Sequence, residues 1–168
     1  MKRSKNVLFI PFCLLAQGLR AEGVVKRYPA IITPILDLLE EYQVNVIQMP
    51  CPEIRYLGIK RMPMSKEKLD DVSYRELCKK QANEVVLQIM ELIENGYRVL
   101  GILGVEYSPT CAVNYLFERR RLIKEPGIYI EELKRELENR GLSIPIIGVN
   151  IRGIKKTLNE LRKILKQK

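Results

Sequence analysis

"YRELCKKQANEVVLQIMELIENGYRVLGILGVEYSPTC", residues 74–111, changes period once, and that change decides the fold. In its first half Cys78, Ala82, Val85, Ile89 and Leu92 recur at steps of three and four, the apolar stripe of an amphipathic helix, and Gly96 supplies the C-terminal stop. Then comes "RVLGILGV", a continuous apolar run too short for a helix, which reads as a buried strand. A cysteine follows the strand, two residues past Pro109.

The same grammar extends in both directions. "NVLFIPF", "VNVIQM" and "IPIIGVN" are further short apolar runs bounded by Gly, Pro or Asn, and they too read as buried strands. Helical periods lie between and after them. "AIITPILDLLEEY" places Ile31, Ile35, Leu38 and Tyr42 on one face, and a third helix is predicted over about Ile128 to Arg140, ending at Gly141. A fourth starts near Gly153, with Ile154, Leu158, Leu161 and Leu165 inward and Lys155, Lys156, Arg162, Lys163 and Lys166 outward. Strands alternating with helices imply a mostly parallel sheet with helices on both faces. The expectation is α/β: one domain over residues 1–168, a three-layer sandwich of flavodoxin-like or Rossmann-like type. Residues 52–72 show neither period, and ordinary links in such folds run about 2 to 6 residues, so they are predicted to form a long loop over the site.

Composition narrows the chemistry. At 168 residues and 46% hydrophobic the chain can bury a full core without staples, and four cysteines at wide spacings with no CxxC do not form a disulfide framework. That usage predicts a reducing, cytoplasmic setting. The start "MKRSKNVLFIPFCLLA" resembles a secretory signal, but its apolar run followed by a cysteine recurs twice later, and no stretch approaches the length of a membrane span. A net charge of +9 favours anionic partners. Histidine is absent, which removes the usual neutral-pH base and the commonest metal ligand.

Three cysteines stand out. Cys13 ends the first strand, Cys51 the second, and Cys111 follows the third, each within two residues of a proline. Carboxyl ends of parallel strands face one edge, where ligands bind, so cysteines 38 and 60 residues apart should converge. Cys78, on the apolar face of its helix, belongs to the core. Three thiolates without histidine suit few metals. Structural zinc normally takes four ligands and catalytic zinc draws on His or carboxylate, whereas iron–sulfur clusters are held by thiolates. A four-iron cluster with three protein ligands keeps one iron free for a substrate atom. Glu53, Glu106 and Ser108 flank these cysteines and could move protons or, equally, cap and brace the loops. Arg20 and Arg61 could hold substrate or pair with surface acids.

These motifs, "CLLAQGLRAEG", "CPE" followed by "GIKRMP", and "SPTC", resemble those of the thiouracil desulfidase family. Cys13, Leu14, Leu15, Arg20 and Gly23 match its first motif, with Ala16 in place of a glycine and Glu22 in place of an aspartate. Cys51, Pro52 and Glu53 match the second, loosely continued by Gly58, Arg61 and Pro63. Ser108, Pro109 and Cys111 match the third, with Ala112 where the family has glycine. The resemblance implies a [4Fe-4S] cluster on Cys13, Cys51 and Cys111, and a sulfide-releasing exchange of C=S for C=O in a thiocarbonyl compound such as a thiolated nucleobase. By analogy Glu53 would activate water or protonate the substrate nitrogen, and Ser108 would orient or polarise the thioamide.

Other functions stay open. The 29 Lys and Arg residues suit a nucleic-acid-binding domain, or an enzyme acting on thiolated RNA. A carrier of sulfide or of the cluster would use the same cysteines without Glu53. A nucleotide-binding domain is disfavoured, because no glycine-rich phosphate loop follows the first strand.

Overall fold

A computed structural model of the chain describes residues 1–166. Four parallel strands form the sheet: β1 (Asn6–Pro11), β2 (Asn45–Met49), β3 (Arg98–Val105) and, late in the chain, β6 (Ile146–Val149). Their spatial order is β2-β1-β3-β6. The chain steps outward from β1 to β2 and then crosses back over β1 to β3. The order therefore reverses between β1 and β3, the switch point of a flavodoxin-like sheet, where ligands lie beyond the carboxyl ends.

Alternation along the strands builds two cores. Val7 and Phe9 of β1 face α5 (Val72–Glu94) and α6 (Ile128–Asn139), while Leu8 and Ile10 face α2 (Thr33–Glu41) and α7 (Ile154–Leu165). Strand β3 contributes Val99 and Ile102 to the first core, and Leu100, Leu103 and Val105 to the second. Two helices on each face of one sheet make the expected α/β three-layer sandwich. The β1–β3 register slips between Val7 and Leu8, so Leu100 is an extra residue and the alternation of β3 shifts there.

Several details differ from the sequence-based expectation. Strand β2 is an edge rather than a buried strand: Val46 is exposed and only Met49 is buried, because no strand covers its far side. Ile31 lies exposed ahead of α2, and Leu39 joins Ile35 and Leu38 in the core instead. Leu158 is only half-buried, whereas Ile154, Leu161 and Leu165 are buried. Residues 52–72 are not a structureless loop. They hold α3 (Pro52–Leu57) and α4 (Lys66–Leu69), and Val72 already begins α5. These helices are too short to show a period, and their start signals are local: Pro52 opens α3, Ser65 caps α4, and the Asp71 carboxylate caps α5 by accepting from Tyr74 N at 2.8 Å. An antiparallel hairpin, β4 (Leu116–Glu118) with β5 (Arg121–Ile123), follows β3 without a sequence signal. Its turn places Arg119 and Arg120 at φ of 47° and 64°, where Asn-Gly is the usual marker. Among the described residues no helix is long and apolar enough to cross a membrane.

Candidate functional site

Each cysteine reaches the site by a different local device. Pro11 closes β1 and the chain turns at once into α1 (Phe12–Leu15), which carries Cys13. Cys51 is the extended residue that opens α3, so Pro52 and Glu53 occupy the first turn. After β3 the chain folds back so tightly that Val105 N donates to the Cys111 carbonyl at 2.7 Å. Two glycines permit that fold-back. A Cβ on Gly104 would lie 2.5 Å from Cys111 O, and one on Gly127 would lie 2.4 Å from Thr110 O and 2.7 Å from Cys111 N.

Because β2, β1 and β3 are neighbours, the three cysteines line one cavity of about 210 Å³, together with Glu53, Arg61 and Ser108. Arg20, Thr110, Tyr107 and Phe117 also line it. Tyr107 and Phe117 stack with ring centroids 5.3 Å apart. Burial pushes the Cys13 thiol up to about 12, only partly opposed by Arg20. The same cause raises Cys51, and it raises Cys111 well above the ordinary thiol value. These thiols stay neutral until something displaces the proton. Cys78 is fully buried in the α5–α6 core, away from the cavity lining.

Glu53 is held through both carboxylate oxygens. Arg61 Nε donates to its Oε2 at 2.9 Å, in an ion pair whose side chains are 4% and 15% exposed. The Thr110 hydroxyl donates to Oε1 at 2.6 Å, and behind Thr110 lies the buried Tyr74 hydroxyl at 2.8 Å. Arg61 also donates from Nη1 to Leu19 O at 3.0 Å, so it is neither a surface partner nor a free cation. Thr110 and Tyr74 were invisible in the sequence, where nothing pairs Glu53 with a position 57 residues away, while the acid partner foreseen for Arg61 is the largely buried Glu53 and not a surface acid.

Ser108 braces its own loop: its Oγ accepts from Thr110 N at 3.2 Å and Cys111 N at 3.0 Å, while its hydroxyl hydrogen has no acceptor among the described hydrogen bonds. Glu106 does not share the cysteine cavity. Its carboxylate accepts from Asn114 N, Asn114 Nδ2 and Tyr115 N, and it packs where a Cβ on Gly148 would fall. It faces a second cavity of about 220 Å³, which shares Arg20, Tyr107 and Phe117 with the first.

Among the described residues no three Cys, Asp or Glu side chains are grouped to hold a single metal ion. A cluster makes a different demand, because its cysteine ligands bond separate irons and stand further apart than the donors of one ion.

The chain is 29% identical over 166 residues to an uncharacterized protein of Methanocaldococcus jannaschii, MJ0003, covering 98% of this chain and 99% of that one. Its fold is similar to that of the [4Fe-4S]-dependent thiouracil desulfidase TudS, at a TM-score of 0.52 and 19% identity over 96% of this chain and 99% of the other. The model of the family described as "Putative 2-thiouracil desulfurase" matches residues 6–132, a span that includes Cys13, Cys51, Glu53, Ser108 and Cys111, and the chain belongs to that family.

Proposed function

We propose that this protein is a [4Fe-4S]-dependent desulfidase that removes sulfur, as sulfide, from a thiocarbonyl compound of the thiolated-nucleobase type. The observation that carries this is the meeting of three cysteines, from the ends of three adjacent parallel strands, in one cavity that also holds an ion-paired glutamate. The donor set fits the cluster: three thiols, no histidine in the chain, and burial that favours metal-bound thiolate over free thiolate. Cys13, Cys51 and Cys111 would hold it. When bound, the cluster supplies an iron without a protein ligand, a soft acid for sulfur.

The remaining work falls to the chain. The exchange R₂C=S + H₂O → R₂C=O + H₂S moves two protons and no net electrons. Glu53 faces the cavity and is the side chain placed to hold or transfer a proton at the substrate carbon or nitrogen. The Ser108 hydroxyl can donate to the thioamide, because its oxygen, not its hydrogen, is used in bracing the loop. The Tyr107–Phe117 stack offers a flat apolar wall to a planar heterocycle.

Iron and acid-labile sulfide should be measured on protein purified without oxygen, beside Cys51→Ala. About four irons per chain with absorption near 400 nm, lost in the variant, is expected of a [4Fe-4S] protein. Sulfide release from thiouracil that disappears in Glu53→Gln while iron is retained separates an enzyme from a carrier. Iron-free protein that resists reconstitution overturns the proposal and returns attention to the basic surface.

A further inference from the structure

We infer that Thr110, backed by Tyr74, is a positioning residue for Glu53, fixing the carboxylate against the reacting atoms; this rests on the proposed role of Glu53. Three observations combine. The hydrogen-bond chain has one possible polarity. The single Thr110 hydroxyl hydrogen is donated to Glu53 Oε1 at 2.6 Å, so at the 2.8 Å contact with Tyr74 it is Tyr74 that donates and Thr110 that accepts. Tyr74 and Thr110 are 0% and 1% exposed, so water cannot substitute for either partner. The two carboxylate oxygens are gripped by different parts of the chain, Oε2 by Arg61 and Oε1 by Thr110, which fixes the plane as well as the place of the group.

The location of Thr110 gives this bond a purpose that loop stability alone does not require. Tyr74 donates to Thr110, which leaves the Thr110 hydrogen in need of an acceptor, and the fold supplies a side chain that faces the cavity, at 2.6 Å. Thr110 is also next to Cys111, and Glu53 is two residues from Cys51. One side-chain hydrogen bond thus ties the proton-handling group of one cysteine loop to a threonine hydroxyl of another. Loss of the Thr110 hydroxyl leaves Glu53 free to rotate toward Arg61, away from the productive geometry. Displacements of about 1 Å in such positions cost on the order of a hundredfold in rate.

The test compares Thr110→Val, Thr110→Ser and the double variant Tyr74→Phe/Thr110→Val as cluster-loaded proteins turning over thiouracil. Positioning predicts that Thr110→Val lowers kcat about tenfold or more, leaves KM within about twofold, and retains iron and the absorption spectrum, with Thr110→Ser recovering most of the rate. The double variant removes both ends of the buried pair, so it should regain stability lost in Thr110→Val yet stay slow. Wild-type kcat in Thr110→Val, or recovery of rate together with stability in the double variant, overturns the inference. If the wild-type protein releases no sulfide, the proposed function fails separately. The contact is then read in metal-free protein by an unfolding cycle of Thr110→Val with Glu53→Ala. A coupling of about fivefold or more in the unfolding equilibrium constant supports the lock, and additive effects overturn it.

Discussion

Arg61 is the cleanest place to measure how tightly the site is held without any cofactor. Arg61→Met removes one member of an ion pair whose side chains are 4% and 15% exposed, and leaves Glu53 with Thr110 alone. Breaking a buried pair from one side costs about 3–5 kcal/mol, because the remaining charge keeps its desolvation penalty. The partial exposure of Glu53 and its surviving hydrogen bond place this site near the lower end, at about 3 kcal/mol. For a domain of this size each kcal/mol lowers Tm by about 2–4 °C, so a fall of about 6–12 °C is expected in thermal unfolding of metal-free protein. Arg61→Met/Glu53→Gln should recover most of that loss, since the stranded charge is gone. The reasoning fails if Arg61→Met is within about 1 kcal/mol of wild type, the range of an exposed pair. It also fails if the double variant is no more stable than the single.

Gly127→Ala adds a methyl group 2.4 Å from Thr110 O and 2.7 Å from Cys111 N, against backbone that cannot swing aside, so iron retained after reconstitution should fall sharply. Gly148→Ala collides with the Glu106 carboxylate, and circular-dichroism melts should show a loss of about 2 kcal/mol or more, in the range of overpacking plus broken hydrogen bonds to Asn114 and Tyr115. Asp70 has its carboxyl held below the ordinary value by hydrogen bonds from Arg75. A depressed folded value means the stabilisation is complete above the unfolded pKa of about 3.9 and is lost as pH falls through the folded one. Urea unfolding of wild type and Asp70→Asn should therefore differ at pH 6 and converge toward pH 2 to 3.

The parallel sheet and the meeting of the cysteines were legible because they follow from local signals combined with a general rule. Strand, proline and cysteine repeat three times, and parallel strands present their carboxyl ends at one edge. Edge placement of β2 was not read from the sequence, because a strand's neighbours are decided by the crossover; the polar Asn45 and Gln48 within "VNVIQM" are the signal that could have marked it. The hairpin was missed because Arg119 and Arg120 occupy left-handed positions without the residues that normally announce them. Within the site, Glu53 and Ser108 were found through their closeness in sequence to cysteines. Thr110 was equally close to Cys111, but its partner lies on α3 and its support on α5, and no periodicity in a single chain links such positions. For Glu106 the sequence left proton transfer and loop bracing open, and the fold-back after β3 turns its carboxylate toward Asn114 and Tyr115, the bracing alternative.

Glu53 joins what the topology only brings near. It belongs to the Cys51 loop, it accepts from Thr110 of the Cys111 loop, and through Arg61 it connects to Leu19 O in the turn that follows Cys13. All three cysteine loops are thus tied to one carboxylate by hydrogen bonds that need no metal. Each loop has backbone bonds of its own, such as Arg55 N to Cys51 O and Val105 N to the Cys111 carbonyl, but those bonds lie within one loop, whereas the bonds to Glu53 run between loops. A buried charge is a costly tie, since removing any partner exposes its desolvation penalty. The hydrogen bonds and the ion pair that offset that cost are what hold the loops together. A neutral residue could pack in the same space, but it would neither draw Thr110 and Arg61 from two directions nor leave a group in the cavity able to carry a proton. Under the proposed function the same carboxylate would both hold the cysteine loops and handle the proton, so substitutions at position 53 should be judged on both properties.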